Sequence, residues 1–205
     1  MSIFAENDIG KVWAGDVQLG EAYVGNELIF TSQTPEQPYV LQLGLDAQEA
    51  ITGGWTVKKQ GSNWYFFGYD EDTESIRLAQ KGVASHRYGW VYTNQKVNIS
   101  GWNKLIMRVS TYQGHGDAAK CNGWAYVCLS NTQSAPMTST AVNDLFTGDV
   151  VKGAYHYSTN SSKKEHIVEV DISDIEGEYY IEAGQRSSES AKTFHCLIHD
   201  IYFAE

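Results

Sequence analysis

Three sets of residues have types and spacings that could do chemistry: two histidines four apart, two aspartates two apart, and runs of alternating aromatic rings. His195 and His199 have the i, i+4 spacing that brings two imidazoles to one zinc ion on a helix. Their context, "FHCLIHDIYF", reads as a strand, and four residues along a strand separate side chains by about 13 Å, beyond any shared metal. Asp70 and Asp72 in "YDEDTE" would face one side of a strand about 6.6 Å apart at the backbone, a separation that overlaps the carboxylate pair of an inverting glycosidase. The same crowding of acidic, turn-forming residues makes a solvated loop, and such a loop can hold calcium through carboxylate and carbonyl oxygens. No cofactor is expected other than calcium at Asp70 and Asp72.

Nucleophilic catalysis finds no support. Gly-x-Ser-x-Gly is absent, no serine or cysteine sits in a marked context, and "GHG" at 114–116 reads as a turn. No glycine loop is built to cradle phosphate. The chain is therefore expected not to be an enzyme, a small glycoside hydrolase surviving only through Asp70 and Asp72.

Aromatic side chains are the remaining signal. Tyr88, Trp90 and Tyr92 alternate and so share a strand face, as do Trp124 and Tyr126, and Tyr155 and Tyr157. Sugar rings present a face of C–H groups that stacks on Trp and Tyr, while their hydroxyls seek polar partners. The candidate ligand-binding residues are Tyr88, Trp90 and Tyr92, with Arg87, His86 and Asn94 as polar neighbours, and then Trp124 and Tyr126. The same rings would serve equally as filler of a sandwich core.

Any of these sets needs a scaffold, and the composition points to strands. The 205 residues include 19 Gly, 13 Tyr and 6 Trp, with few of the Leu, Ala, Glu and Lys runs that build amphipathic helices. Short β runs recur at regular intervals: "GWTVKK", "NWYFFGY", "SIRLA", "HRYGWVYT", "KLIMRVSTY", "GWAYVCLS", "GAYHYST", "EHIVEVDIS", "EYYIEAG" and the closing "KTFHCLIHDIYFAE". Without helices between them, they predict an antiparallel sandwich. Residues 130–150 read as a long excursion with a helical turn near 141–146. Cys121, Cys128 and Cys196 match no zinc or redox spacing and are expected as free, buried thiols in strands.

Pro35 and Pro38 in "TSQTPEQPYV" mark a linker, giving an N-terminal module and linker at 1–34 and a larger domain at 35–205. The module says nearly the same thing twice. Trp13-Ala-Gly15-Asp16 returns ten positions later as Tyr23-Val-Gly25-Asn26, and each Gly-polar pair suits the corner of a two-residue hairpin turn. Two tandem hairpins are predicted.

A net charge of −10, from 15 basic and 25 acidic side chains, opposes a nucleic acid or an anionic membrane as partner. No stretch approaches the ~20 apolar residues of a transmembrane helix, and "MSIFAENDIGK" lacks the pattern of a secretory signal. Synthesis in a bacterial cytoplasm without a signal peptide is the expectation. The sequons at Asn98 and Asn160 then carry no weight.

Two resemblances extend this reading. "VNISGWNKLIMRVS", "HIVEVDISDIEGEYYIEAGQ" and the terminal "FHCLIHDIYFA" together resemble the jelly-roll sandwiches of carbohydrate-binding modules and phage adhesion domains, over roughly residues 40–205. "KVWAGDVQLGEAYVGNELIF" is similar to short hairpin repeats of bacteriophage and prophage structural and tail proteins. Trp13, Gly15, Asp16, Tyr23, Gly25, Asn26, Leu28 and Ile29 occupy the matching positions. The resemblances imply an all-β protein, a jelly-roll-like sandwich behind a hairpin module, acting in a phage tail or other virion part. Its partners would be other virion subunits, including copies of itself, and a host glycan; Trp13, Gly15, Tyr23 and Gly25 would serve assembly. The alternative is a carbohydrate-binding module of a polysaccharide-degrading system.

Overall fold

Alternating apolar and polar residues let one face of an extended chain leave water, and this pattern carries most of the sequence into strands. The computed structural model describes residues 3–5, 12–14, 17–19, 21–24, 27–31, 39–42, 54–59, 64–80, 87–113, 123–134, 136–137, 146–159, 162–187 and 193–205. Every regular element among the described residues is a β-strand. Two compact units divide between Pro38 and Tyr39, within the proline-marked stretch.

In the first unit, β1 (Ile3–Ala5), β2 (Val12–Ala14) and β3 (Val17–Leu19) form an antiparallel three-stranded sheet. β4 (Glu21–Val24) and β5 (Glu27–Thr31) form a separate hairpin. Ala14 pairs with Val17 and Val24 with Glu27, so each copy of the decapeptide closes over a two-residue connection. That length is the one served by turns with a glycine at a corner.

The second unit is two packed antiparallel sheets. The first runs in the order β14 (Val150–Ser158), β13 (Gly123–Ser130), β16 (Glu178–Ser187), β10 (Arg87–Thr93), β7 (Trp55–Lys59), with β11 (Val97–Asn98) beside the start of β16. The second runs β15 (Lys164–Asp171), β12 (Lys104–Gln113), β17 (Phe194–Ala204), β9 (Ser75–Gln80), β8 (Trp64–Asp70), with β6 (Tyr39–Gln42) also on β17. The chain crosses between the sheets after β9, β12, β14, β15 and β16, while β8–β9 and β13–β14 stay as hairpins. This is the jelly-roll-like sandwich that the strand spacing predicts.

Alternation sorts the two faces of each strand. Leu105, Met107 and Val109 of β12 and Phe194, Cys196, Ile198, Ile201 and Phe203 of β17 meet Val91, Ala125, Val127, Leu129, Ile181 and Ala183 of the first sheet in one buried core. Truncating one such Leu, Ile or Phe to Ala costs about 2–5 kcal/mol. Rings sit directly on bare backbone here: a Cβ at Gly123 would lie 2.6 Å from the Phe194 ring, and one at Gly89 2.5 Å from Trp64. Cys128 and Cys196 are free and buried, and burial pushes both thiols up. Cys121 lies outside the described residues, as do positions 141–145 of the helical turn expected in the excursion.

Candidate functional site

The first sheet has a second apolar cluster, on the face turned away from the inter-sheet core. β10 contributes Tyr88, Trp90 and Tyr92, and β13 contributes Trp124, Tyr126 and Cys128, all buried. β16 runs between them, and its register sets three rows across the sheet. Tyr88, Arg186, Trp124 and Tyr157 form one row. Trp90, Gly184, Tyr126 and Tyr155 form the next, and Tyr92, Glu182, Cys128 and Gly153 the third. The alternation noted in each segment therefore brings five of the sequence candidates together on one surface.

What buries that surface is the excursion after β13. Met137 belongs to the cluster and Phe146 packs on it. The two residues bridge in antiparallel fashion, and the Thr147 N–H donates to the Pro136 carbonyl at 2.8 Å. The Phe146 ring stands edge-on to Tyr126, with centroids 6.1 Å apart, and lies 6.3 Å from Tyr155. It fits because residue 153 is glycine: a Cβ there would meet the ring at 2.7 Å. At the β14 edge the cover ends, and Tyr155 and Tyr157 are 47% and 45% exposed. The Tyr157 ring rests 4.9 Å from Trp124, so the buried aromatics continue into a solvent-facing pair.

Polar atoms sit unpaired within this apolar setting. Glu182 has no exposed surface and neither carboxyl oxygen has a hydrogen-bond partner. The Tyr126 hydroxyl and the Trp90 Nε1–H likewise have none. Burial first, and the nearby Asp149 second, push the Glu182 carboxyl up to about 8, against the opposing pull of Lys58. At neutral pH this side chain is mostly a neutral acid, able both to donate and to accept. Burial also raises the Tyr126 phenol, which stays protonated. The Arg186 guanidinium lies 4.8 Å over the Trp124 ring, and the Lys58 ammonium 5.0 Å over Tyr92. The face thus offers rings for C–H stacking and uncharged donors and acceptors for hydroxyls. Its three rows hold one carboxylate, Glu182, where glycoside hydrolysis uses a pair.

Other candidates are placed elsewhere. Arg87 opens β10 opposite Ser187, on the other alternation from Tyr88; His86 lies outside the described residues. Asn94 follows β10 and its side-chain oxygen accepts from the Thr56 hydroxyl at 2.5 Å. Trp13 pairs with Phe4 and Gln18, and Tyr23 with Leu28, within the hairpin unit. Gly15 and Gly25 lie outside the described residues.

The expectation that Asp70 and Asp72 share one side of a strand needs correcting. β8 ends at Asp70, and the Thr73 N–H donates to the Asp70 carbonyl, so Asp72 lies in an exposed turn. Asp70 already has a cation, the Arg77 guanidinium at 2.7 Å, and its other oxygen accepts from the Asp72 N–H. Burial alone would raise this carboxyl, but the Arg77 hydrogen bond and charge hold it below the usual range. Calcium would have to displace Arg77. Among the described residues no group of three or more His, Cys, Asp and Glu is placed to hold a metal ion. His195 and His199 both lie on β17, as a strand reading requires: Arg77 reaches His195 Nδ1 at 3.2 Å, and His199 Nε2 bonds the Ser110 hydroxyl at 2.8 Å.

Glu182, Arg186, Gly153 and Phe146 escaped the sequence reading. The period-two signal was present in "EYYIEAGQR", which sets Glu182, Gly184 and Arg186 on one face. Only the register, with β16 between β10 and β13, shows which neighbours that face meets.

No family model and no curated protein matches the chain. Solved structures of similar shape include TmCBM61 in complex with β-1,4-galactotriose, at 10% identity over 73% of this chain and 86% of that one, with a TM-score of 0.38. Another is of the promiscuous carbohydrate-binding modules of the β-sandwich superfamily, at 12% identity, 85% and 64% coverage and a TM-score of 0.42. A third is the enzymatically active domain of bacteriophage CBA120 tailspike protein 4, at 10% identity over 74% of this chain and 19% of that one, with a TM-score of 0.39. Likeness at this level assigns neither ligand nor activity.

Proposed function

We propose that the sandwich unit is a non-catalytic carbohydrate-binding module whose site is the aromatic outer face of the first sheet. The observation that carries this reading is the set of unpartnered Glu182, Tyr126 and Trp90 atoms among stacked rings outside the sandwich core. A buried polar group without a partner costs about 1–3 kcal/mol, and hydroxyls of a bound sugar would meet these atoms while its C–H faces stack on the rings. Tyr155 and Tyr157 are the part of the platform already facing solvent. The test is a glycan array followed by calorimetry on the full chain. Tyr155→Ala and Tyr157→Ala should each weaken binding about tenfold, the scale of a stacking contact, without lowering the melting temperature. Hydrolysis of any bound glycan would overturn the non-enzymatic assignment.

A second reading is favoured by the hairpin unit: a structural or adhesion subunit of a phage or prophage particle, its sandwich turned to a host glycan or a neighbouring subunit. Two small sheets with open edges are marginal alone and gain from pairing with another chain. Light scattering should then show an oligomer for the full chain and a monomer for a chain truncated to residues 39–205. Oligomerisation with no glycan binding would favour the structural role over the carbohydrate-binding one.

A further inference from the structure

We propose that the outer-face site takes an uncharged, hydroxyl-rich saccharide, and that Glu182 is the residue that selects it against acidic sugars. The inference rests on the carbohydrate-binding reading above and names its ligand class. Glu182 lies at the centre of the third row, between Tyr92 and Cys128, fully buried and with both oxygens unpartnered.

The groups around it leave little to neutralise an incoming anion. β10 supplies the Tyr88 and Tyr92 phenols, and β13 the Tyr126 phenol and the Cys128 thiol. Arg186 belongs to the same strand as Glu182, but four residues along a strand put it about 13 Å away, stacked on Trp124. Lys58 on β7 is exposed and stands over Tyr92, where water already screens it. Asp149, which precedes β14, adds a second carboxylate near Glu182. A uronate or sialate carboxylate at this row would become a further negative charge beside Glu182 and Asp149, and like charges in a desolvated site exclude one another. A neutral sugar hydroxyl meets no such penalty. It can accept from the protonated Glu182, donate to its carbonyl oxygen, and reach the Tyr126 hydroxyl and the Trp90 N–H.

Protonation gives the inference a pH signature. With the carboxyl pushed up to about 8, the donating form dominates at pH 7 and is lost above pH 8. Affinity for a neutral oligosaccharide should fall about tenfold between pH 7 and pH 9. The experiment is calorimetry on the full chain with neutral gluco-, manno-, galacto- and xylo-oligosaccharides and with galacturonate, glucuronate and sialyl oligosaccharides. Glu182→Gln, which keeps a donor and an acceptor without the proton, should bind neutral sugars as the parent does at pH 7 and lose the pH dependence. The unsubstituted protein alone decides the matter if that variant does not fold. Acidic sugars bound as tightly as neutral ones, or neutral binding that is flat to pH 9, would overturn the inference and leave the glycan site standing. Binding to neither class would overturn the site itself.

Discussion

Single side chains in this molecule work against ordinary packing rules, and their titration shows it. His195 ordinarily ionises near 6.5, but burial first, and the Arg77 charge second, hold it down to about 4. The unfolded chain therefore binds the extra proton between those values, and this part of the stability is complete above about pH 6.5 and lost as pH falls towards 4. Glu182 has the opposite sign: its folded value of about 8 exceeds the ordinary 4.5, so the fold loses stability as pH rises through that window. Thermal melts should show Glu182→Gln gaining several degrees over the parent at pH 8 and nothing at pH 4. Tyr126→Phe removes a buried hydroxyl that has no partner, so stability should hold or rise by about 1 kcal/mol while glycan binding drops. Much of this surface was legible from period two alone: the alternation of Tyr88, Trp90 and Tyr92 placed them on one face. Glu182 was not, because an acidic residue in a strand reads as solvated until the strands beside it and the segment above it are known.

Strands are where prediction from sequence was strongest, and their ends where it was weakest. The β-rich runs became strands, and the sheet order followed the crossing pattern of a jelly roll. Asp72 was assigned to a strand that stops two residues earlier, because the closing of the turn depends on Asp70 engaging Arg77 from the neighbouring β9. A similar long-range term lies behind the cover on the outer face. The tandem Thr, Ser and Asn of residues 130–150 signal a loop, but nothing local says that Phe146 returns to Gly153. Gly153→Ala should press a methyl group into that ring. A loss of about 1–3 kcal/mol in urea denaturation is expected from such overpacking, and the same change should loosen the segment and quicken amide exchange in β14.

At the scale of the whole chain the hairpin unit and the sandwich are separate compact bodies. The boundary was readable from Pro35 and Pro38, since proline-rich polar sequence cannot extend either sheet. What each body contacts was not readable, because docking surfaces leave no periodic trace. A chain truncated to residues 39–205 keeps the buried core entire and should melt cooperatively, with glycan affinity equal to that of the full chain. A truncated sandwich that loses affinity would mean that the hairpin unit contributes to recognition.

The rings seated on glycines carry a consequence for how such a sequence can diverge. Phe194 on Gly123, Trp64 on Gly89 and Phe146 on Gly153 are paired choices, each large partner tolerable only because the other is minimal. Neither member can change freely by itself, so drift should preserve them jointly or exchange them jointly. In any set of diverged homologues, positions 146 and 153 should covary, and a sequence with a small side chain at 146 should be the one in which a bulkier residue at 153 first becomes admissible.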